Sequence, residues 1–192
     1  MEWIAIMTLP PLLTGEKVRL TAFTDDDLKE YTRWYQDIEF MRLYDGTPAR
    51  PRTEHDTKKW LEDMRGDKNT YLFAIRPRDS DVLVGLIEIS YILWNHGNGW
   101  LSIAIGDPAN RRKGYGAEAI ALILDFAFRE LNLHRVQLTV FGSNPGAIAL
   151  YEKLGFTREG AHREFLHRDD QYYDMILYGI LRREWEVRSK QT

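Results

Sequence analysis

Cysteine is absent from this 192-residue chain. Its absence excludes disulfides, thiolate metal sites and a cysteine nucleophile, and it fits a cytoplasmic protein. Histidine is sparse: none of His55, His96, His134, His162 and His167 stands at metal-like spacing from a second ligand, so no metal is expected. No apolar run approaches the ~18 residues of a membrane-spanning helix. Residues 1–7 are apolar but lack a basic leader and a small-residue cleavage site, so neither a signal peptide nor a membrane partner is expected. Basic charge is not in surplus either. Lysine and arginine number 26 against 29 acids, and the net charge of −3 argues against a broad nucleic-acid-binding face. It is compatible with a cationic or amine partner. Internal repeats and low-complexity linkers are missing as well.

What remains is an ordinary globular composition, 44% hydrophobic and 29% charged, long enough for one domain with a sizeable core. That core is expected over residues 17–182, with an N-terminal extension at residues 1–16 and an exposed, charged tail at residues 183–192. Alternating patterns predict strands at residues 17–23, 70–76, 82–92, 100–106, 135–141, 156–165 and 171–181. Glycines in residues 95–99 supply the positive φ of a hairpin turn. Helical signals start at Thr24, followed by three aspartates, and at Thr53, with Asp56 three later. They predict helices to about Tyr35 and about Arg65. Residues 36–52 read as irregular. Apolar residues at helical spacing predict a long helix over residues 118–131 and a short one over 147–154, the latter closed by Gly155. The fold class is mixed α/β (α+β): an antiparallel meander, a central βαβα unit and a final hairpin around Arg168-Asp169-Asp170.

The chain is organised around Asn110-Arg111-Arg112-Lys113-Gly114-Tyr115-Gly116-Ala117, which lies between a strand and the long helix. Glycines at a helix start let main-chain N–H groups approach an anion, and a helix N-terminus carries about half a positive charge. Arg111, Arg112 and Lys113 add full charges there. This turn is therefore expected to hold a phosphate or diphosphate. Gly114-x-Gly116-x-x-Ala119 is a poor dinucleotide fingerprint, because residues 107–113 separate it from the strand and no acid closes the next strand. A Gly-Lys-Ser/Thr phosphate loop is also absent.

A second group follows 33 residues after Arg111. Asn144 stands at a strand end and reads as a helix N-cap. Tyr151, two turns on along the same helix face, either packs in the core or offers its phenol to a leaving thiolate. Residues 111–116 match R/Q-x-x-G-x-G/A, and residues 144–156 match N-x-x-A-x-x-x-Y-x-K-x-G-F. In these two spaced motifs the chain resembles the GNAT acetyltransferase superfamily over roughly residues 17–182. Val18-Arg19-Leu20-Thr21 and residues 168–174 resemble its ribosomal-protein/spermidine acetyltransferase-like branch.

The resemblance implies a mixed, mostly antiparallel central sheet with a splayed parallel strand pair, flanked by helices. It implies acetyl-CoA as co-substrate and a small-molecule or peptide primary amine as acceptor. Arg111, Arg112, Lys113, Gly114, Tyr115, Gly116 and Ala117 would bind the diphosphate. Ile103, Ala104 and Ile105 would pair with the pantetheine amides, Asn144 would bond the same arm, and Tyr151 would protonate the thiolate. Trp34, Tyr44 and Asp45 would line the acceptor site under a roof of early helices, although core packing is the simpler account of most aromatic residues there. The resemblance and the apolar residues 3–13 are compatible with a homodimer.

An amine must lose a proton before it attacks, so a base or a water chain is required. Glu88, among Leu86, Ile87 and Ile89, is out of place on a strand unless it is paired or functional. Members of the family often carry a glutamate on the strand that holds Ser102, and its absence here leaves either Glu88 or a water chain as the base. Direct transfer in a ternary complex is expected. Two rival readings stand beside it: a non-catalytic acyl-CoA-binding or sensing module on the same fold, and a nucleotide-dependent oxidoreductase.

Overall fold

The computed structural model describes residues 12–189. Residues 1–11, which carry most of the apolar extension expected to aid dimerisation, lie outside the described residues, as do residues 190–192.

Strand β1 (Val18–Ala22) leads into a single 3₁₀ turn, Asp25–Asp27. Thr24 N–H donates to Asp27 Oδ2 at 2.9 Å. The same carboxylate, 5% exposed, receives Arg76 Nη2 on both oxygens at 2.8 Å. The next elements are α1 (Leu28–Trp34), α2 (Ile38–Tyr44), α3 (Glu54–Gly66), β2 (Tyr71–Pro77), β3 (Gly85–Leu93), β4 (Asn98–Ile105) and α4 (Tyr115–Asp125). Then come β5 (Arg135–Phe141), α5 (Pro145–Lys153), β6 (Thr157–Arg168), β7 (Gln171–Leu181) and α6 (Arg182–Ser189). The box expected at the start of α3 forms, with Asp56 N–H on Thr53 Oγ1 at 3.2 Å and Thr53 N–H on Asp56 Oδ2 at 2.8 Å. No helix among the described residues is long and apolar enough to cross a membrane.

The strands form one sheet in the order β1-β2-β3-β4-β5-β7-β6. Every neighbouring pair is antiparallel except β4 and β5, which run parallel. That pairing covers only Asn98–Arg135, Gly99–Val136 and Trp100–Gln137. Beyond Trp100 the two strands part, and the gap between them is where the site lies. Alternation sends Ile87, Ile89 and Leu101 to one core, shared with α4, α5 and α6. It sends Leu86 and Ala104 to the other, beneath the aromatic side chains of α1 and α2.

Four expectations change. Residues 36–52 contain α2, a seven-residue helix capped by Asp37, whose Oδ1 accepts Glu39 N–H at 2.9 Å. It is too short to carry a clear helical period. Strand β3 begins at Gly85 rather than at Val82. The helix after the glycine turn widens into a π-helical turn at Phe126–Glu130, where the consecutive Phe126, Ala127 and Phe128 are all buried. The charged tail is a helix through Ser189, because Trp185, 8% exposed, docks into the core and donates to Asp125 Oδ1 at 2.9 Å.

Candidate active site

A cleft of about 1140 Å³ opens where β4 and β5 separate. Small-molecule sites usually span ~300–1,000 Å³, so there is room for two ligands end to end. One end is the glycine turn. Gly114 has φ 87° and Arg112 φ 62°, so the chain winds tightly before α4. The hydrogen bonding of α4 starts with Glu118 N–H to Gly114 O at 3.1 Å. The N–H groups of Tyr115, Gly116 and Ala117 therefore leave the helix start without an acceptor in the preceding turn. Arg111, Arg112, Gly114, Gly116 and Ala117 line the cleft, whereas Lys113 and Tyr115 do not. Lys113 Nζ instead bonds Asn110 Oδ1 at 3.2 Å and lies 5.9 Å from the Tyr115 ring centroid. Arg111 pairs with Glu39 at 3.2 Å.

Lys17 adds a cation that sequence reasoning missed. A side chain built on Gly114 would meet its Nζ at 2.9 Å. The anchor is Glu118, whose carboxylate accepts the N–H groups of Glu16, Lys17 and Val18 at 3.0, 2.8 and 2.6 Å. Nothing local in the sequence links positions 101 residues apart.

Asn144 Oδ1 accepts Ala147 N–H at 3.1 Å, so the cap exists. Asn144 also lines the cleft, and its Nδ2 group is left to serve it. Tyr151 lines the cleft too and is 7% exposed. Burial pushes its phenol up to about 12, so it stays protonated at neutral pH. Ile103 and Ile105 face α4, where the position of Gly116 lies within 3.9 Å of both side chains. They sit on the stretch of β4 that β5 no longer pairs, as does Ala104.

The opposite end holds Glu88. It stands directly across from Ser102, so a carboxylate occupies this level of the sheet from the strand next door. Glu88 Oε2 is buried and has no hydrogen-bond partner. Burial raises the carboxyl to about 7, against a hydrogen bond from the Ser90 side chain that pulls it down. Beside it the Tyr44 phenol is pushed well up, first by burial and then by the charge of Glu88.

Two expected wall residues are elsewhere. Trp34 is 2% exposed, donates to Glu30 Oε1 at 3.0 Å and fills the space above Gly106, where any side chain would run into its ring. It supports the core rather than the cleft surface. Asp45 turns away: Oδ1 accepts Thr47 N–H at 2.9 Å and Oδ2 pairs with Arg52 at 3.3 Å. The walls are Phe40, Leu43 and Tyr44 from α2, with Trp100 from β4. Of these the sequence pointed only to Tyr44, because α2 itself was unread.

The family model for the Acetyltransferase (GNAT) domain matches residues 17–157. The SPbeta prophage-derived N-acetyltransferase YokL of Bacillus subtilis is 32% identical over 174 residues, covering 91% of this chain and 95% of that one. Spermidine N(1)-acetyltransferase of Vibrio cholerae is 35% identical over 108 residues, covering 56% of this chain and 62% of that one. The crystal structure of Vibrio cholerae spermidine N-acetyltransferase in complex with CoA and spermine superposes with a TM-score of 0.80 at 25% identity, over 88% of this chain and 98% of that chain.

Proposed function

Since the chain belongs to the GNAT acetyltransferase family, we propose that it transfers an acetyl group from acetyl-CoA to a primary amine, directly, in a ternary complex. The observation that carries the proposal is the cleft that joins an open main-chain cradle to a protonated phenol and to a carboxylate with one buried oxygen left without a hydrogen bond.

Acetyl-CoA would supply the activated acyl group as a thioester. The N–H groups at the start of α4, with Arg111, Arg112 and Lys17, would hold its diphosphate. The unpaired stretch of β4 at Ile103, Ala104 and Ile105 offers main-chain groups to the pantetheine amides, and Asn144 Nδ2 adds a donor. Glu88 would take the ammonium proton. Raising Glu88 from 4.5 to about 7 cuts the cost of deprotonating an amine of pKa ~10.4 from about 8 to about 5 kcal/mol. The amine nitrogen then bonds the acyl carbon, the carbon–sulfur bond breaks, and the second proton that the nitrogen loses replaces the one that Tyr151 gives to the thiolate. Tyr151 would face the departing sulfur. A phenol at about 12 gives its proton to a thiolate near 8.5 at a cost of about 5 kcal/mol. Tyr151 thus acts first as a hydrogen-bond donor that stabilises the thiolate, and full transfer follows later.

A non-catalytic acyl-CoA-binding module has no use for a carboxylate with a buried oxygen left without a hydrogen bond, which favours the enzyme. Calorimetry with acetyl-CoA tests the proposal. Absence of binding at about millimolar ligand, well above ordinary KM values, would remove it.

A further inference from the structure

The acceptor end of the cleft has a definite chemical character. Among the described residues that line the cleft, Glu88 is the one carboxylate. Around it stand Phe40, Leu43, Tyr44 and Trp100, and at the mouth Tyr91 and Leu93, 75% and 53% exposed. Strand β3 is irregular between Ser90 and Leu93, and Tyr91 adopts a left-handed φ of 49°. A bulky side chain held in that conformation is an outlier of the sort found at ligand sites. The irregularity thus brings an aromatic ring to the entrance of a pocket that already has apolar walls.

We infer that the acceptor is a monoamine, a primary amine with one positive charge and an apolar aryl or alkyl body, and not a polyamine. The inference rests on the acetyl-transfer reading above and narrows its substrate class. One ammonium group finds Glu88. Each further ammonium of a polyamine would lie against apolar walls without a counter-charge. An aromatic or alkyl body instead covers Tyr91, Leu93 and Trp100 and removes apolar surface from water. The relative crystallised with spermine shares the fold, but a shared fold does not carry an acceptor with it.

The test uses the full chain with acetyl-CoA and follows thiol release with phenethylamine, tryptamine and hexylamine against putrescine, spermidine and spermine. Acetyl-CoA binding is measured by calorimetry on the same sample. The expected result is a kcat/KM for the arylalkyl amines about 100-fold above that for spermidine, the discrimination that burial of an aromatic body supplies. A polyamine used equally well or better overturns the inference and leaves acetyl transfer standing. Acetyl-CoA binding without turnover of any monoamine also overturns it, whereas loss of acetyl-CoA binding itself removes the parent reading as well. A second arm is Leu93→Glu, which adds an acid at an exposed rim position. It should move the putrescine-to-phenethylamine ratio of kcat/KM toward putrescine by about 10-fold or more. An unchanged ratio would refute the placement of the acceptor body at this mouth.

Discussion

Replacing Glu88 by glutamine tests the electrostatics of the cleft without any substrate. The carboxyl titrates at 4.5 in an open chain and at about 7 in the fold, because burial disfavours its charged form. Below pH 4.5 both states hold the proton. Between 4.5 and 7 the folded chain keeps a proton that the unfolded chain has released, so stability falls as pH rises through this window and levels off above the folded value. The full shift is worth about 3 kcal/mol. Glutamine keeps the shape and cannot ionise. Urea unfolding of both proteins at about pH 5 and about pH 8.5 should show the difference, variant minus wild type, growing by about 2.5 kcal/mol in favour of the variant. The m-value should not change. Curves that run parallel to within about 0.5 kcal/mol between those pH values would show that Glu88 is not held neutral by burial, and the base assignment would go with it. In activity the same variant should lose about 100-fold or more, together with the rising limb of the kcat/KM profile near pH 7.

The remaining predictions concern the other parts of the site and its frame. Tyr151→Phe should lower kcat by about 10- to 100-fold, the worth of one donor to a developing charge, with acetyl-CoA affinity held within about threefold; stopped-flow thiol release and calorimetry separate the two, and an unchanged kcat removes the donor role. Lys17→Ala should weaken acetyl-CoA binding by about 3- to 10-fold and reduce its salt dependence, since a cation within reach of the diphosphate would be gone; equal titrations at low and high salt would exclude it. Arg76→Ala leaves the buried Asp27 carboxylate unpaired and should cost about 3–5 kcal/mol in urea unfolding, where a loss under about 1 kcal/mol would contradict the burial of that pair.

The glycine turn before α4 and the helix with Asn144 and Tyr151 were legible in the sequence because each is local. Glycine spacing, basic charge and a cap residue lie within a few positions of one another and state their own conformation. Strand alternation likewise located β1 to β7, to within about three residues at most ends. Glu88 was legible as an anomaly, a charge inside an apolar alternation, but the oxygen it leaves without a hydrogen bond was not. That depends on what β4 presents opposite it, and β4 presents Ser102. Trp34 and Asp45 stand apart from the cleft lining, which the sequence could not show for a related reason. An aromatic residue near a site and one beneath it look alike in sequence, and an aspartate that closes a turn looks like one that awaits an amine.

The roof of the cleft shows most clearly why the rest stayed hidden. Helix α2 has only seven residues, too few to stand on helical propensity, yet it supplies Phe40, Leu43 and Tyr44 to the cleft. Its position comes from the far end of the chain. Arg168 Nη2 donates to Asp45 O at 2.6 Å and Nη1 to Arg42 O, while Arg42 pairs with Asp169. The Arg168 guanidinium also lies 5.6 Å from the Phe141 ring centroid. The β6–β7 hairpin therefore holds the C-terminus of α2, whose final carbonyls need donors from outside the helix. Arg168-Asp169 reads in sequence as the charged tip of a hairpin, and its partners are more than 120 residues away. Pairings at that separation depend on the topology of the sheet and leave no local pattern, so the roof of this cleft became visible only once the strands were assembled.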